Sequence, residues 1–166
     1  MTRSIAFVGL GAMGSAMAET LIKKQFHVTG FDMRPEAVAK LCAAGGHGAT
    51  SVADAAKGAD ALVLMVVNAD QAEAVLFGGG ALAALQPDAT VMVMATCAPG
   101  RIVAIAERVT ATGRSFIDAP VSGGVAGATG GTLTIMAAAP AAVFERNKPL
   151  LSAMGSNLFH LGEQPG

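Results

Sequence analysis

Short apolar runs alternate along this chain with longer stretches whose apolar positions recur at helical spacing. The runs predict strands at Ser4–Val8, His27–Phe31, Gly48–Ala49, Ala61–Val67, Thr90–Met94, Ser115–Asp118 and Leu133–Ala137. The amphipathic stretches predict helices at Met13–Lys24, Pro35–Ala44, Ser51–Lys57, Gln71–Phe77, Pro99–Thr112 and Ala141–Met154. Runs that are apolar throughout, such as Ala61 to Val67, fit strands covered on both faces of a parallel sheet. Pro35 and Pro99 stand where a helix tolerates proline, in its first turn. Gly78-Gly79-Gly80 marks a loop and Gln86-Pro87-Asp88 a turn. Strand and helix alternate without an interior linker or repeat. The expectation is one α/β domain over residues 1–166, doubly wound, with a mostly parallel sheet and helices on both faces.

Composition agrees. The chain has 166 residues, 52% of them hydrophobic and 14% charged, enough apolar material for a sizeable core. A net charge of −1 gives no electrostatic case for nucleic acid or an anionic membrane as partner. No apolar run approaches the roughly 18 residues needed to cross a bilayer. The N-terminus leads directly into a strand with no signal-peptide layout, so a cytoplasmic location is expected. Cys42 and Cys97 are far apart and lack ligand-like spacing with histidine, so both are expected as buried free thiols in a reducing compartment.

The chemistry begins at the first strand end. Ile5 to Val8 runs into Gly9-Leu10-Gly11-Ala12-Met13-Gly14, and a helix-favouring segment follows. Gly-x-Gly-x-x-Gly alone can be an ordinary tight turn. Here it sits between a strand and a helix, and the next strand ends on Asp32. In a dinucleotide site Gly9 makes the turn, Gly11 admits the pyrophosphate, and Gly14 lets the helix pack close. The helix N-terminus offers free N–H groups and a positive dipole end. Asp32 follows Gly14 at close to the roughly 20-residue spacing of a ribose-binding carboxylate. The pattern points to a Rossmann-type fold with a bound dinucleotide.

Ligands of such sheets bind beyond the carboxyl ends of the strands. Val66, Val67 and Asn68, then Thr96, then Ser122, Gly123 and Gly124 are expected there. Ser122-Gly123-Gly124 is either a small anion nest or a flexible glycine-rich connection. A carboxylate at Asp32 accepts from two ribose hydroxyls and repels a 2′-phosphate, which favours NAD over NADP. Met33 and Arg34 follow it. Arg34 either stacks on adenine, pairs at the surface or touches a phosphate.

The segments Phe7 to Gly14, Phe31 to Pro35, Asp118 to Ala128 and Gly130 to Met136 carry a resemblance across essentially the whole chain. It resembles the N-terminal domain of the β-hydroxyacid dehydrogenases, the 3-hydroxyisobutyrate dehydrogenase-like family. Val66 to Gly78 is most similar to the L-threonate dehydrogenase branch. The resemblance implies that Gly9, Leu10, Gly11, Ala12, Met13, Gly14, Asp32, Met33 and Arg34 hold the adenosine and pyrophosphate of NAD. It implies Val66, Val67, Asn68 and Thr96 on the nicotinamide side, and Ser122, Gly123 and Gly124 on the substrate carboxylate. The substrate would be a small 3-hydroxy acid such as L-threonate, 3-hydroxyisobutyrate or glycerate. The family's general acid/base is a lysine on a helix that opens an all-helical second domain. That lysine is expected beyond Gly166, with no catalytic residue in this chain, so the fragment alone is expected to be inactive. The second domain would also build the parent's homo-oligomer. An apolar patch around Leu158 and Phe159 is expected to be exposed without it.

His27, His47 and His160 stand singly and are read as structural, with no metal site. Cys97 borders the expected crevice, but hydride transfer needs no nucleophile. Ser122 has no histidine–carboxylate support for hydrolysis. The competing function is a nucleotide-binding module without chemistry. Such a module has no use for the Asp118–Gly131 segment.

Overall fold

The computed structural model describes residues 2–166. The first half runs β1 (Ser4–Val8), α1 (Ala12–Lys23), β2 (His27–Phe31), α2 (Pro35–Ala43), β3 (His47–Gly48), α3 (Val52–Ala56) and β4 (Ala61–Leu64). Next come α4 (Ala69–Glu73), a π-helical turn (Ala74–Gly78), α5 (Ala81–Ala84), β5 (Thr90–Val93), α6 (Pro99–Thr110) and β6 (Ser115–Asp118). The chain then adds β7 (Val121–Ser122), α7 (Gly124–Gly130), β8 (Thr134–Ala138), α8 (Ala141–Met154) and β9 (Asn157–Gly162).

The strands form one sheet in the order β3-β2-β1-β4-β5-β6-β8-β7, with β9 on the other side of β8. Strands β1 to β6 pair in parallel, and β8 runs antiparallel to β6 and β7. Side-chain alternation builds two cores, one on each face. Ile5, Phe7, Val63 and Met92 pack with α1 and α8 residues such as Met17, Leu21 and Leu150. Ala6, Val8, Leu62, Leu64, Val91 and Val93 pack with α6 residues such as Ile102 and Ile105. Each fully buried Leu or Ile contributes about 1.5–3 kcal/mol.

A polar network closes the end of the sheet opposite the strand tips. Arg3 Nη2 donates to Asn147 Oδ1 at 2.8 Å, and Asn147 Nδ2 donates to Thr90 Oγ1 at 3.0 Å. Arg146 Nη2 reaches Thr90 Oγ1 at 3.2 Å and Ser115 Oγ at 2.8 Å. Strands β1, β5 and β6 are thereby tied to α8.

Four expectations need correction. β4 ends at Leu64, not Val67, because the chain leaves the sheet there to wall a cleft. The helix expected at Gln71–Phe77 starts earlier, at Ala69, because Asn68 Oδ1 caps it by accepting from Gln71 N at 3.0 Å. Cys42 is exposed, since α2 buries Ala37 and Leu41 and the next position points away from that face. Of the expected C-terminal patch, Leu158 packs partly against the core, whereas Phe159 and Leu161 are exposed.

Candidate dinucleotide site

The loop from β1 to α1 is shaped by close backbone packing. Gly9 has φ +95°, and a Cβ there would run into the Met65 carbonyl oxygen. A Cβ at Gly14 would run into the carbonyl oxygen of Gly9. Only glycine fits either place. Gly11 differs: nothing lies within 4 Å of its Cβ position, so the backbone is open to a ligand on that side. No side chain caps α1. Its first internal bond is Ser15 N to Gly11 O at 2.8 Å, so the N–H groups of Ala12, Met13 and Gly14 precede the helical ladder. An open backbone beside free N–H groups fits a pyrophosphate.

Asp32 stands at the tip of β2, where Gly9 N donates to Phe31 O at 3.1 Å. Leu10 N donates to Asp32 Oδ2 at 2.8 Å, and Arg34 N to Asp32 Oδ1 at 2.9 Å. The Arg34 guanidinium folds back, with Nε 3.2 Å from Asp32 Oδ1 and Nη2 3.1 Å from Leu10 O. Burial works to raise the Asp32 pKa. The two backbone N–H donors and the Arg34 guanidinium outweigh it and hold the carboxyl below its usual range. Asp32 is therefore a carboxylate, charged and oriented, at neutral pH.

A cleft of about 450 Å³ opens beside this turn. It brings together Gly9, Gly11, Asp32, Met33, Arg34, Val66 and Val67 of the expected residues. Leu10 and Ala12 line an adjoining depression of about 230 Å³ with Gly11 and Arg34. Met13 is half-buried and Gly14 buried beneath the turn. Met33 and Val67 are 90% and 78% exposed, so each carries an apolar surface at the cleft mouth. Met65, Phe31, Gln71, Ala74 and Val75 also form its walls, and the last four were missed in the sequence. Phe31, Ala74 and Val75 offered only apolar character, which equally described core, and Gln71 offered no distinguishing signal. Gln71 Oε1 accepts from Val67 N at 3.0 Å and fixes the bend after β4.

Thr96 lies exposed beyond β5, and Ser122, Gly123 and Gly124 lie exposed beyond β6, outside both cavities. Gly123 and Gly124 have φ +132° and +63°, and α7 starts there without a side-chain cap. At the base of this loop burial pushes the Asp118 carboxyl up, against one hydrogen bond from Gly166 N at 2.9 Å. Neighbouring Cys97 is half-buried, and burial, then the Asp118 charge, raise its pKa against the opposing effect of Arg101. A protonated thiol is a poor nucleophile. Lys23, Lys24, Lys40, Lys57 and Lys148 are exposed at helices or their ends, away from these strand tips.

Residues 4–162 match the family described as the NAD binding domain of 6-phosphogluconate dehydrogenase. An L-threonate dehydrogenase of Cupriavidus necator is 40% identical over 167 residues, covering 100% of this chain and 56% of that protein. An NAD-dependent L-serine dehydrogenase of Pseudomonas aeruginosa is 41% identical over 161 residues, covering 96% of this chain and 54% of that protein. A crystal structure of 3-hydroxyisobutyrate dehydrogenase from Salmonella typhimurium superposes with a TM-score of 0.94 at 38% identity, covering 99% of this chain and 57% of that one. The chain thus spans a little over half the length of these relatives. Among the described residues no helix is long and apolar enough to cross a membrane.

Proposed function

Because the chain belongs to this NAD-binding-domain family, in its 3-hydroxyisobutyrate dehydrogenase-like group, we propose that it holds NAD for a dehydrogenase of small 3-hydroxy acids, L-threonate first among them. The observation that carries the cofactor choice is Asp32, charged and fixed against Leu10 N at 2.8 Å beside the open face of Gly11. Its carboxylate accepts from the adenosine ribose hydroxyls and repels a 2′-phosphate. Gly11 leaves room for the pyrophosphate, and the N–H groups of Ala12, Met13 and Gly14 neutralise it. Leu10, Met33 and Arg34 flank the adenosine. Val66, Val67, Asn68 and Thr96 form the nicotinamide side. The chemistry that bound NAD supplies is acceptance of a hydride.

Ser122, Gly123 and Gly124 hold the substrate carboxylate at the far side of the crevice. The exposed Ser122 hydroxyl and the side-chain-free N–H groups of the two glycines support this role. The proton of the reacting alcohol goes to a lysine outside residues 1–166: Lys40 lines the depression beside Leu10 and Gly11, at the adenosine end, and pairs with Glu19 Oε1 at 3.4 Å, while Lys23, Lys24, Lys57 and Lys148 are exposed at helices or their ends. That lysine and the oligomer contacts belong to an all-helical domain, and the enzyme works in the cytoplasm.

Calorimetric titration of this chain with NAD and NADP tests the reading. NAD should bind more tightly by tenfold or more, since like charges at about 4 Å cost a few kcal/mol when partly screened. Asp32→Ala should narrow the gap. Equal affinities in the unmodified chain would overturn the cofactor choice.

A further inference from the structure

The notable feature of the β2 tip is a closed ring of hydrogen bonds around Leu10. Leu10 N donates to Asp32 Oδ2 at 2.8 Å, and Leu10 O accepts from Arg34 Nη2 at 3.1 Å. Arg34 Nε and N meet Asp32 Oδ1 at 3.2 and 2.9 Å. Both polar groups of the residue between Gly9 and Gly11 are therefore engaged by this pair of side chains, with Ser15 Oγ also donating to Leu10 O at 3.0 Å. The backbone prepares this: Arg34 is the N-cap of α2, with φ −92° and ψ 114°, and Pro35 locks the next residue. The Arg34 N–H closes a turn onto Asp32, a conformation aspartate favours.

We propose that Arg34 is a positioning residue that braces the glycine-rich loop and fixes Asp32 for a dinucleotide without a 2′-phosphate. This rests on the NAD reading above and deepens it. Two observations oppose Arg34 as a phosphate anchor. Two of its five N–H donors are already engaged: Nε faces a carboxylate, and Nη2 a carbonyl on the loop itself. The depression it lines has no free cation to help, since Lys40 Nζ pairs with Glu19 Oε1 at 3.4 Å and Glu36 adds a negative charge. A 2′-phosphate taken up by the Nε–Nη2 edge would have to break the ring and displace that edge from a fixed carboxylate. Arg34 is 56% exposed, so the ion pair alone is worth little. The brace acts through geometry, because a planar guanidinium presents donors on separate nitrogens at a fixed spacing, whereas an ammonium offers all of its donors from one nitrogen on a flexible stem.

The test is titration of the chain with NAD and with NADP in three backgrounds, with melting curves to verify folding. Arg34→Ala should weaken NAD about tenfold and leave NADP unchanged or tighter. Arg34→Lys should not restore NAD binding. On an Asp32→Ala background Arg34→Ala should have no further effect on NAD, since both changes break one ring. A loss confined to NADP would make Arg34 a phosphate anchor and overturn the proposal. Equal losses, no loss, or full rescue by lysine would overturn it too. If the unmodified chain binds neither dinucleotide, the NAD reading falls together with the brace. Firm NAD binding by indifferent variants removes the brace alone.

Discussion

Two glycine-rich loops leave the carboxyl ends of β1 and β6, and glycine is there for different reasons. In the loop after β1, Gly9 and Gly14 are required by space, since a Cβ at either would strike a backbone carbonyl. In the loop after β6, Gly123 and Gly124 are required by conformation. Their φ values are +132° and +63°, and nothing lies within 4 Å of the Cβ position at Gly124. The first loop is packed into its shape. The second has room at Gly124, while a Cβ at Gly123 would meet only the Leu133 side chain closely, at 3.2 Å. A packed loop suits a constant cofactor, and an open loop suits a substrate that differs between relatives.

The carboxylates at the bases of these loops differ in the same sense. Asp32 is held low by hydrogen bonds despite burial, whereas burial raises Asp118 against a single opposing bond. Asp32 contributes stability above the ordinary carboxylate range, and that contribution is lost as pH falls through its lowered folded value. Asp118 behaves oppositely. Its stability contribution is present below the ordinary carboxylate range and is lost as pH rises through its raised folded value.

The contrast can be broken most severely at Gly14. Gly14→Ala should cost about 3 kcal/mol, because backbone must move to admit one methyl group. Urea unfolding measures this, and dinucleotide binding should fall with it. Gly124→Ala should cost only about 1 kcal/mol, the strain of a left-handed residue, and leave NAD affinity unaltered by calorimetry. Comparable losses at the two sites would erase the distinction. The smallest effect belongs to Asp118→Asn, which should raise the melting temperature at neutral pH by about 2 °C. The amide still accepts the Gly166 N–H. The gain should vanish in acid, where Asp118 is itself protonated.

Much of this was legible in the sequence. The strand–glycine–helix start, the acid following β2 and the alternation of elements marked the fold class and the candidate cofactor cleft, because each follows from local sterics or periodicity. Three features were not legible, for physical reasons. Val66 and Val67 extended an apolar run, and no periodicity separates a strand from a cleft wall of the same residues. Gly124–Gly130 read as loop because glycine disfavours helix. Tertiary contact holds α7 instead: Thr20 Oγ1 donates to Ala128 O at 2.8 Å, and Gly127 packs against Leu133. The ring of Leu10, Asp32 and Arg34 joins residues 22 and 24 positions apart, and its geometry appears only when β1 and β2 lie side by side.

The polar network at the far end of the sheet also sets a timetable. Arg3 is made 144 positions before its partner Asn147. On a ribosome adding about 5–20 residues per second, Arg3 waits several seconds for the side chain that satisfies it. Strand β1 completes its pairing with β2 and β4 earlier, but Arg3, just before it, is not tied down until α8 has emerged. A nascent chain halted before Asn147 therefore carries a guanidinium without its amide partner, and that end of the sheet stays untied until α8 arrives.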